Sequence, residues 1–557
     1  MKKSLLSQKF RKAMDSASSN RAIKYGVYLA SVIVFLALIL FPPIIGIITR
    51  LGAVQQIFSY PPIVARAISA ATNSFAVALL VSAVDVIAGV PMAWLIARGR
   101  SKWLNVVDTL ADIPFVVPTS ALGYSLLLFW NKPEGISAFF SGPLVSEGWF
   151  LVILLHFTFS YPIVVRVLVG ALLDYKVEYE RASRTLGAAP ITAARTVTFP
   201  ILKPSLIAAF ILALARSLSE TGATFIVAGV FENGPVFIQN ITSKFTQGSV
   251  IYDGSIALAS LLLIVGASAI FAFIRILGPR LKLPIKGVWP GFERKLSYSK
   301  ASSSRNSATL LIFLAIILVP SLWVALPAFH AVFTPTLHNA LFGVGVWSGY
   351  WQSLLLSYLL AATVTVLNII IGLPMAILIA RKRLGALTST VLDVLIMIPL
   401  IVPSIALGVS LNFFWKQTFP FVPEILLLIF AHLTITYPYF VRSVSAAVER
   451  ISVEMEEASR TLGAKPWDVF RTIIFPLTKY SMLSGAIIVF TRSVSETGAT
   501  SAVASTLQTA PLIIVNWVKG KVPATSLDIG LGCGILILFS FVILLVLRFI
   551  SKEKGRS

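Results

Sequence analysis

Residues 182–188 read ASRTLGA, and residues 458–464 read ASRTLGA again. The two copies lie 276 positions apart in a chain of 557 residues that is 57% hydrophobic and 12% charged. Soluble domains carry about 25% charged residues, so this composition belongs to a chain that is largely in contact with lipid. A polar, small-residue phrase written twice in such a chain points to duplication.

The duplication extends far beyond the heptapeptide. GVPMAWLIAR (89–98) returns as GLPMAILIAR (372–381), and IPFVVPTSALG (113–123) as IPLIVPSIALG (398–408). HFTFSYPIVVR (156–166) returns as HLTITYPYFVR (432–442), and ARSLSETGAT (215–224) as TRSVSETGAT (491–500). The offset is 283 to 285 in the earlier blocks and 276 in the later ones, which places a shorter outer loop in the second half.

Apolar runs long enough to cross a bilayer, about 20 residues each, fall near 25–48, 73–97, 107–130, 149–172, 203–229 and 256–278. A second set falls near 307–329, 353–380, 388–415, 424–448, 480–503 and 526–550. These runs lack the period-2 alternation of a membrane barrel, so they read as helices. The fold expected is an all-α polytopic membrane protein with about 12 transmembrane helices in two parallel six-helix repeats. Residues 1–278 form the first half, 279–305 a basic cytoplasmic linker and 306–557 the second half. Six spans per half give both halves the same orientation, and such parallel repeats place a pathway at their interface.

The net charge of +23 does not indicate nucleic acid. Its Lys and Arg stand in short clusters between apolar runs, as cytoplasmic loops of membrane proteins do. Lys2, Lys3, Lys9, Arg11 and Lys12 precede the first run, which is too long for a signal-peptide core. Arg98, Arg100 and Lys102, then Arg381, Lys382 and Arg383, fall on the same side. So does the stretch 275–305, with eight basic residues and one acid. The chain is therefore expected in the cell membrane, multi-pass, with both termini cytoplasmic. Four His and a single Cys leave no disulfide framework and no Cys-based zinc site.

In this topology each ASRTLGA lies in the longest cytoplasmic loop of its half, about 176–202 and 450–479. Each loop reads as two short helices broken at Gly187 or Gly463, since glycine accepts the turn. Pro190 or Pro466 opens the second helix, and Pro200 or Pro476 marks the return to the membrane. One reading is a loop that caps its own bundle. The other is a small-residue helix end that seats in another protein's groove.

These loops resemble the EAA signature of ABC importer permeases: E-A-A, three residues, G, nine residues, then I-x-L-P. Glu457, Ala458, Ser459, Gly463, Ile473 and Pro476 occupy those places, with Phe475 where Leu is usual. In the first half Ala182, Ser183, Gly187, Val197 and Pro200 match, but Arg181 stands at the glutamate place with Glu180 adjacent. The resemblance implies a type I permease fold. It also implies docking to a cytoplasmic ATPase through Glu180, Ala182, Ser183, Arg184 and Gly187, and through Glu457, Ala458, Ser459, Arg460 and Gly463. An extracytoplasmic binding protein is implied as well, and the likeness of the loops points to two copies of one ATPase. The chain has no GxxxxGK[ST] phosphate loop, so it is read as a non-enzyme that binds no cofactor, with ATP used by its partner.

Ionisable groups inside a membrane are costly and mark candidate function. Arg216 and Glu220 stand four apart in the fifth span, as do Arg492 and Glu496 in the eleventh, so each pair is expected on one helix face. Either the pairs neutralise themselves and lock the helix, or they line or gate the path. Pro114, Pro118, Pro399 and Pro403 are expected to kink spans three and nine. His156 and His432, at matched positions, read as satisfied structural histidines rather than metal ligands. Asp85 faces Asn368 and Asp112 faces Met397 in the repeat, so the halves are not equivalent.

Two halves in one chain resemble ferric-iron and thiamine permeases. R-x-x-x-E-x-G-A-T resembles R-A-L-G-E-F-G-A-T of molybdate, tungstate and sulfate permeases. Ferric iron is the substrate expected first. The alternative class is a secondary transporter with parallel six-span repeats, which needs no docking loop.

Overall fold

The computed structural model describes residues 15–16, 18–99, 101, 103–280 and 289–551. The basic residues of the N-terminal tail, Arg100, Lys102 and linker residues 281–288 lie outside them. Among the described residues ten helices are long and apolar enough to cross a membrane, and two sharply bent pairs raise the number to as many as twelve. No strand occurs among the described residues. Helices satisfy their own backbone groups, which is what lipid demands of an apolar segment.

In chain order the first half comprises α1 (Arg21–Ile48), α2 (Pro61–Arg98), and the bent pair α3 (Leu104–Phe115) and α4 (Thr119–Trp130). Next come α5 (Trp149–Asp174), α6 (Val177–Thr185), α7 (Pro190–Ser219), α8 (Gly222–Val227), α9 (Gly234–Lys244) and α10 (Val250–Ile274). A short helix in the linker, α11 (Pro290–Leu296), leads to the second half. That half opens with α12 (Ser299–Ala331), α13 (Tyr350–Ala380), and the bent pair α14 (Ala386–Ile401) and α15 (Ser404–Thr418). It closes with α16 (Glu424–Glu449), α17 (Val453–Thr461), α18 (Pro466–Val494), α19 (Gly498–Val503), α20 (Ala510–Val518) and α21 (Ser526–Val546). Each element of the second half repeats one of the first. Even the π-helical turns recur, at 35–40 and 313–318 and again at 194–198 and 470–474.

The expected spans differ from the structure in three places, each with a local cause. Spans three and nine are broken, not merely kinked. Their two pieces meet at 103° and 104°, because Val117 and Val402 are extended and Pro118 and Pro403 take the position before the next helix. A proline supplies no N–H to continue a helix. Spans five and eleven stop at Ser219 and Val494, well short of 229 and 503. Conversely, Pro200 and Pro476 do not begin a new helix. In each of the loops 176–202 and 450–479, the elbows of the two halves, the second helix runs through a π turn straight into the span, giving one continuous helix of 30 residues in α7 and 29 in α18.

The halves exchange their first helices. Phe35 of α1 stacks on Tyr437 of α16 at 5.6 Å, and Phe313 of α12 stacks on Tyr161 of α5 at 6.3 Å. A Cβ on Gly46 would meet the Ser410 carbonyl oxygen at 1.9 Å, so the backbone of α1 presses directly on α15. On the other side the Ser125 hydroxyl of α4 donates to the Pro320 carbonyl (2.7 Å) and accepts from the Val324 amide (2.9 Å). It thus inserts into the i→i+4 ladder of α12 and interrupts it. Each half therefore contributes an arm to the core of the other.

Candidate functional site

Spans α7 and α18 end where ARSLSETGAT and TRSVSETGAT change from helix to extended chain. Glu220 caps α7 with ψ 132, and Glu496 follows the last turn of α18. The expectation that each Arg and Glu share one helix face is thus corrected: the glutamates lie just past the helix ends. The pairs nevertheless form. Arg216 Nη1 lies 2.8 Å from Glu220 Oε2, and Arg492 Nη1 lies 2.5 Å from Glu496 Oε2, with all four side chains buried. The other carboxylate oxygens accept the amides of Ala223 (3.2 Å) and Ala499 (2.9 Å). Those amides open α8 and α19, where orphan N–H groups favour negative charge.

Beyond the pairs the two extended turns cross each other. A Cβ on Gly222 would sit 1.7 Å from Thr497 Oγ1, and one on Gly498 would sit 2.5 Å from Ser404 Oγ and 2.7 Å from Thr221 Oγ1. The closeness is possible only because both positions lack a side chain. Gly123 and Gly408, on α4 and α15, let the turns seat: their Cβ atoms would fall 2.9 Å and 2.7 Å from the Cα atoms of Ala223 and Ala499. The crossing therefore seals the seam between halves with the glycine backbone of each turn against the threonine side chain of the other.

On the elbow side of this seal lies a cavity of about 240 Å³. Arg216 and Arg492 line it from opposite halves, with hydroxyls from Thr119, Thr491 and Ser495 and rings from Phe159 and Tyr439. The Arg216 guanidinium lies 4.6 Å from the Phe159 ring centroid, a cation–π contact. Thr119 Oγ1 also donates to the Ser495 carbonyl at 3.2 Å, tying the halves together at the cavity roof.

The duplicated heptapeptide is a helix C-cap. Gly187 (φ 92°) and Gly463 (φ 87°) take the left-handed conformation. The Gly187 amide bonds the Arg184 carbonyl and the Ala188 amide the Ser183 carbonyl; Gly463 to Arg460 and Ala464 to Ser459 repeat this. That pair of bonds defines a Schellman motif. Thr185 and Thr461 hydroxyls back-bond to Ala182 and Ala458, each at 2.7 Å. Of the sequence-selected residues, Ala182, Arg184, Gly187, Glu457, Ala458, Arg460 and Gly463 are exposed, while Glu180, Ser183 and Ser459 are half-buried. The most exposed large apolar side chains of the elbows are ones not singled out, Leu186 and Leu462, each 89% exposed.

Two anchors of the elbows were also not foreseen. Glu456, rather than Glu457, is buried, and it receives Arg381 at 2.8 Å, with Arg383 and Arg460 at 3.7 Å. It stands at the repeat position of Glu180, which was the available signal. The second anchor comes from the segments that precede each half's first span. Ser297, just after α11, accepts the Ile191 amide at 3.2 Å, and Ser18 accepts the Trp467 amide at the same distance. Ile191 and Trp467 are the second residues of α7 and α18, so each elbow's return helix is capped from a distance. Glu293 of α11 adds Thr192 (2.5 Å) and Arg195 (2.7 Å). The Thr192 hydroxyl and then the Arg195 guanidinium hold its carboxyl below the usual range.

His156 is bonded on both ring nitrogens, to Ser217 (2.7 Å) and Thr224 (2.8 Å). His432 repeats this with Ser493 (2.8 Å) and Thr500 (3.0 Å). These rings tie the end of each long helix to the short helix beyond the break, a structural role. Asp85 accepts from Ser160, while Asn368 at the matched place donates to Thr436 at 2.9 Å. Asp112 and Asp108 both bind Arg166 at 2.6 Å.

A family model described as "Binding-protein-dependent transport system inner membrane component" matches residues 89–283 and again 368–552. Together these cover well over half of the chain, one match per half. Among similar proteins is the sulfate transport system permease protein CysT of Salmonella typhimurium, 30% identical over 229 residues (39% of this chain, 79% of that protein). The molybdenum transport system permease protein ModB of Mycobacterium tuberculosis is 33% identical over 190 residues (33% of this chain, 69% of that protein). A putative ferric transport system permease protein, FbpB 1 of Haemophilus influenzae, is 24% identical over 453 residues (77% of this chain, 69% of that protein).

Proposed function

The chain belongs to the family of binding-protein-dependent transport system inner membrane components, and from that premise we propose how its two fused halves work as an ABC importer permease. The substrate path runs along the seam between α7 and α18. Gly222 and Gly498, closed on by the side chains of Thr497, Thr221 and Ser404, are the gate on the outer side, and the arginine-lined cavity is the chamber below it. The elbows at 176–202 and 450–479 face the cytoplasm and take the ATPase subunits that this chain lacks. Both termini lie on the same side, in the inner or plasma membrane.

The observation that carries this reading is the pair of superimposable helix caps with an 89% exposed leucine at each tip. Apolar side chains held rigidly in water at equal places in both halves suit insertion into grooves of a partner. Equal elbows favour two copies of one ATPase, and the family's description favours a binding protein on the outer face. Relatives named for sulfate, molybdenum and ferric transport bring the cargo to a small inorganic ion. Inverted membrane vesicles prepared with and without a co-expressed ABC ATPase subunit test the class. Transport that needs ATP and the ATPase is expected; transport driven by an ion gradient in its absence refutes the reading.

A further inference from the structure

We propose that the cavity between the halves is a binding site for a tetrahedral oxyanion, so that this importer carries an oxyanion rather than ferric ion or thiamine. The inference rests on the permease reading above and adds the cargo class. The side chains lining the cavity include two guanidiniums and four hydroxyl-bearing residues, Thr119, Tyr439, Thr491 and Ser495, but no carboxylate. Glu220 and Glu496, which balance the arginines, turn away from it toward the amides of Ala223 and Ala499. The positive groups thus face the space while their counter-charges are held behind them.

Each guanidinium has five N–H donors in a fixed fork, and each ion pair engages Nη1. Arg492 is about nine-tenths buried, and its Nε has no hydrogen-bond partner among the described residues. A buried, unused donor is costly, and an oxygen of an anion in the cavity would satisfy it. Planar forks from opposite halves suit a compact anion with oxygens on all sides. The space, about 240 Å³, holds such an ion with several waters at ~30 Å³ each.

A ferric or thiamine cation would meet two guanidiniums and no carboxylate on the chamber wall. Two like charges lie at the chamber, and no group of three or more His, Cys, Asp or Glu side chains stands together among the described residues. His156 and His432 are not available, since both nitrogens of each are bonded. The ferric expectation drawn from the two-half architecture therefore gives way to the chemistry of the chamber.

The test uses the full chain in lipid nanodiscs and radiolabelled sulfate, with tungstate, molybdate, ferric citrate and thiamine as competitors. Saturable sulfate binding displaced by tungstate and molybdate alone is expected. Thr491→Val removes one hydroxyl, and the neutral double variant Arg492→Gln with Glu496→Gln removes one fork without leaving a lone buried charge. Each is expected to weaken binding about tenfold or more. Equal binding by the double variant would assign the signal to surface lysines and overturn the site. Absence of saturable oxyanion binding up to millimolar concentration, or binding of labelled iron instead, would also overturn it. Iron uptake that still needs ATP would sink the oxyanion and leave the permease standing; uptake needing no ATP would sink both.

Discussion

Replacing Leu186 and Leu462 with alanine is expected to detach the ATPase without disturbing the membrane domain. Each leucine occupies the C-cap of its elbow, 89% exposed, directly before a left-handed glycine. Burying a leucine side chain fully contributes roughly 1.5–3 kcal/mol. Alanine keeps about a third of that area, so the loss per elbow is about 1–2 kcal/mol. Two elbows then weaken the complex by about 2–4 kcal/mol, a factor of roughly 30 to 1,000. Because the side chains touch little within the permease, its own stability should shift by no more than about 0.5 kcal/mol. Nanodisc-held permease titrated with ATPase on a biosensor gives the affinity, and thermal melting of the permease alone gives the control. If the double variant binds the ATPase within threefold of the parent, the leucines are not the anchors. The two single variants should weaken binding equally if both sockets belong to one ATPase species, and unequal losses would point to two species.

Glu220→Gln and Glu496→Gln each leave a buried arginine without its counter-charge; ATP-driven uptake should fall at least tenfold while the purified complex stays assembled, and wild-type uptake in both would remove the pairs from the pathway. Gly222→Ala places a methyl 1.7 Å from Thr497 Oγ1, so the seal should be forced apart and small solutes should leak through vesicles carrying the variant; an ion-tight variant would refute closure of Gly222 on the Thr497 side chain. Glu293→Gln removes the charge that holds Thr192 and Arg195, and it should lower uptake per ATP hydrolysed while ATPase binding persists. Since the Glu293 carboxyl is held below its usual range, its brace is present above the ordinary glutamate pKa and is lost as pH falls through the lowered value. Coupling should therefore decline at acidic pH in the parent but not in the variant.

Much of this was legible in the sequence because duplication doubles every signal. The spans, the elbows and the helix-breaking role of Gly187 and Gly463 follow from residue types whose effects are local. The exchange of α1 and α12 was not legible, since an apolar run states that it is buried in lipid or protein but not against which helix. Phe35 and Phe313 gain meaning only beside Tyr437 and Tyr161. The prolines showed where spans three and nine bend, whereas the size of the turn, beyond 100°, comes from the extended Val117 and Val402 before them, which no residue type announced. Glu456 was passed over because a family spacing drew attention to its neighbour. The linker read as a spacer by composition, while a single acid among eight basic residues was the sign that Glu293 had a task.

The geometry also constrains how an event at the elbows reaches the gate. α7 runs unbroken from Pro190, just before the capped amide of Ile191, to Ser219, 30 residues or about 45 Å of helix. Its end is the first strand of the crossing. α18 does the same from Trp467 to Val494. A continuous helix packed along its length moves as a rod, so a shift of one elbow is delivered to Gly222 or Gly498 with little loss. The exchanged arms set the direction: α1 is bound to α15 and α12 to α4, so each half carries the other's bent pair with it. On the proposed reading, bringing the elbows together turns the two rods about a seam held between the arms, and the contact of Gly222 with Thr497 and of Gly498 with Thr221 is the first place that must separate. The serine caps at 18 and 297 make that lever stiff at its handle, which is why weakening one of them should cost coupling before it costs assembly.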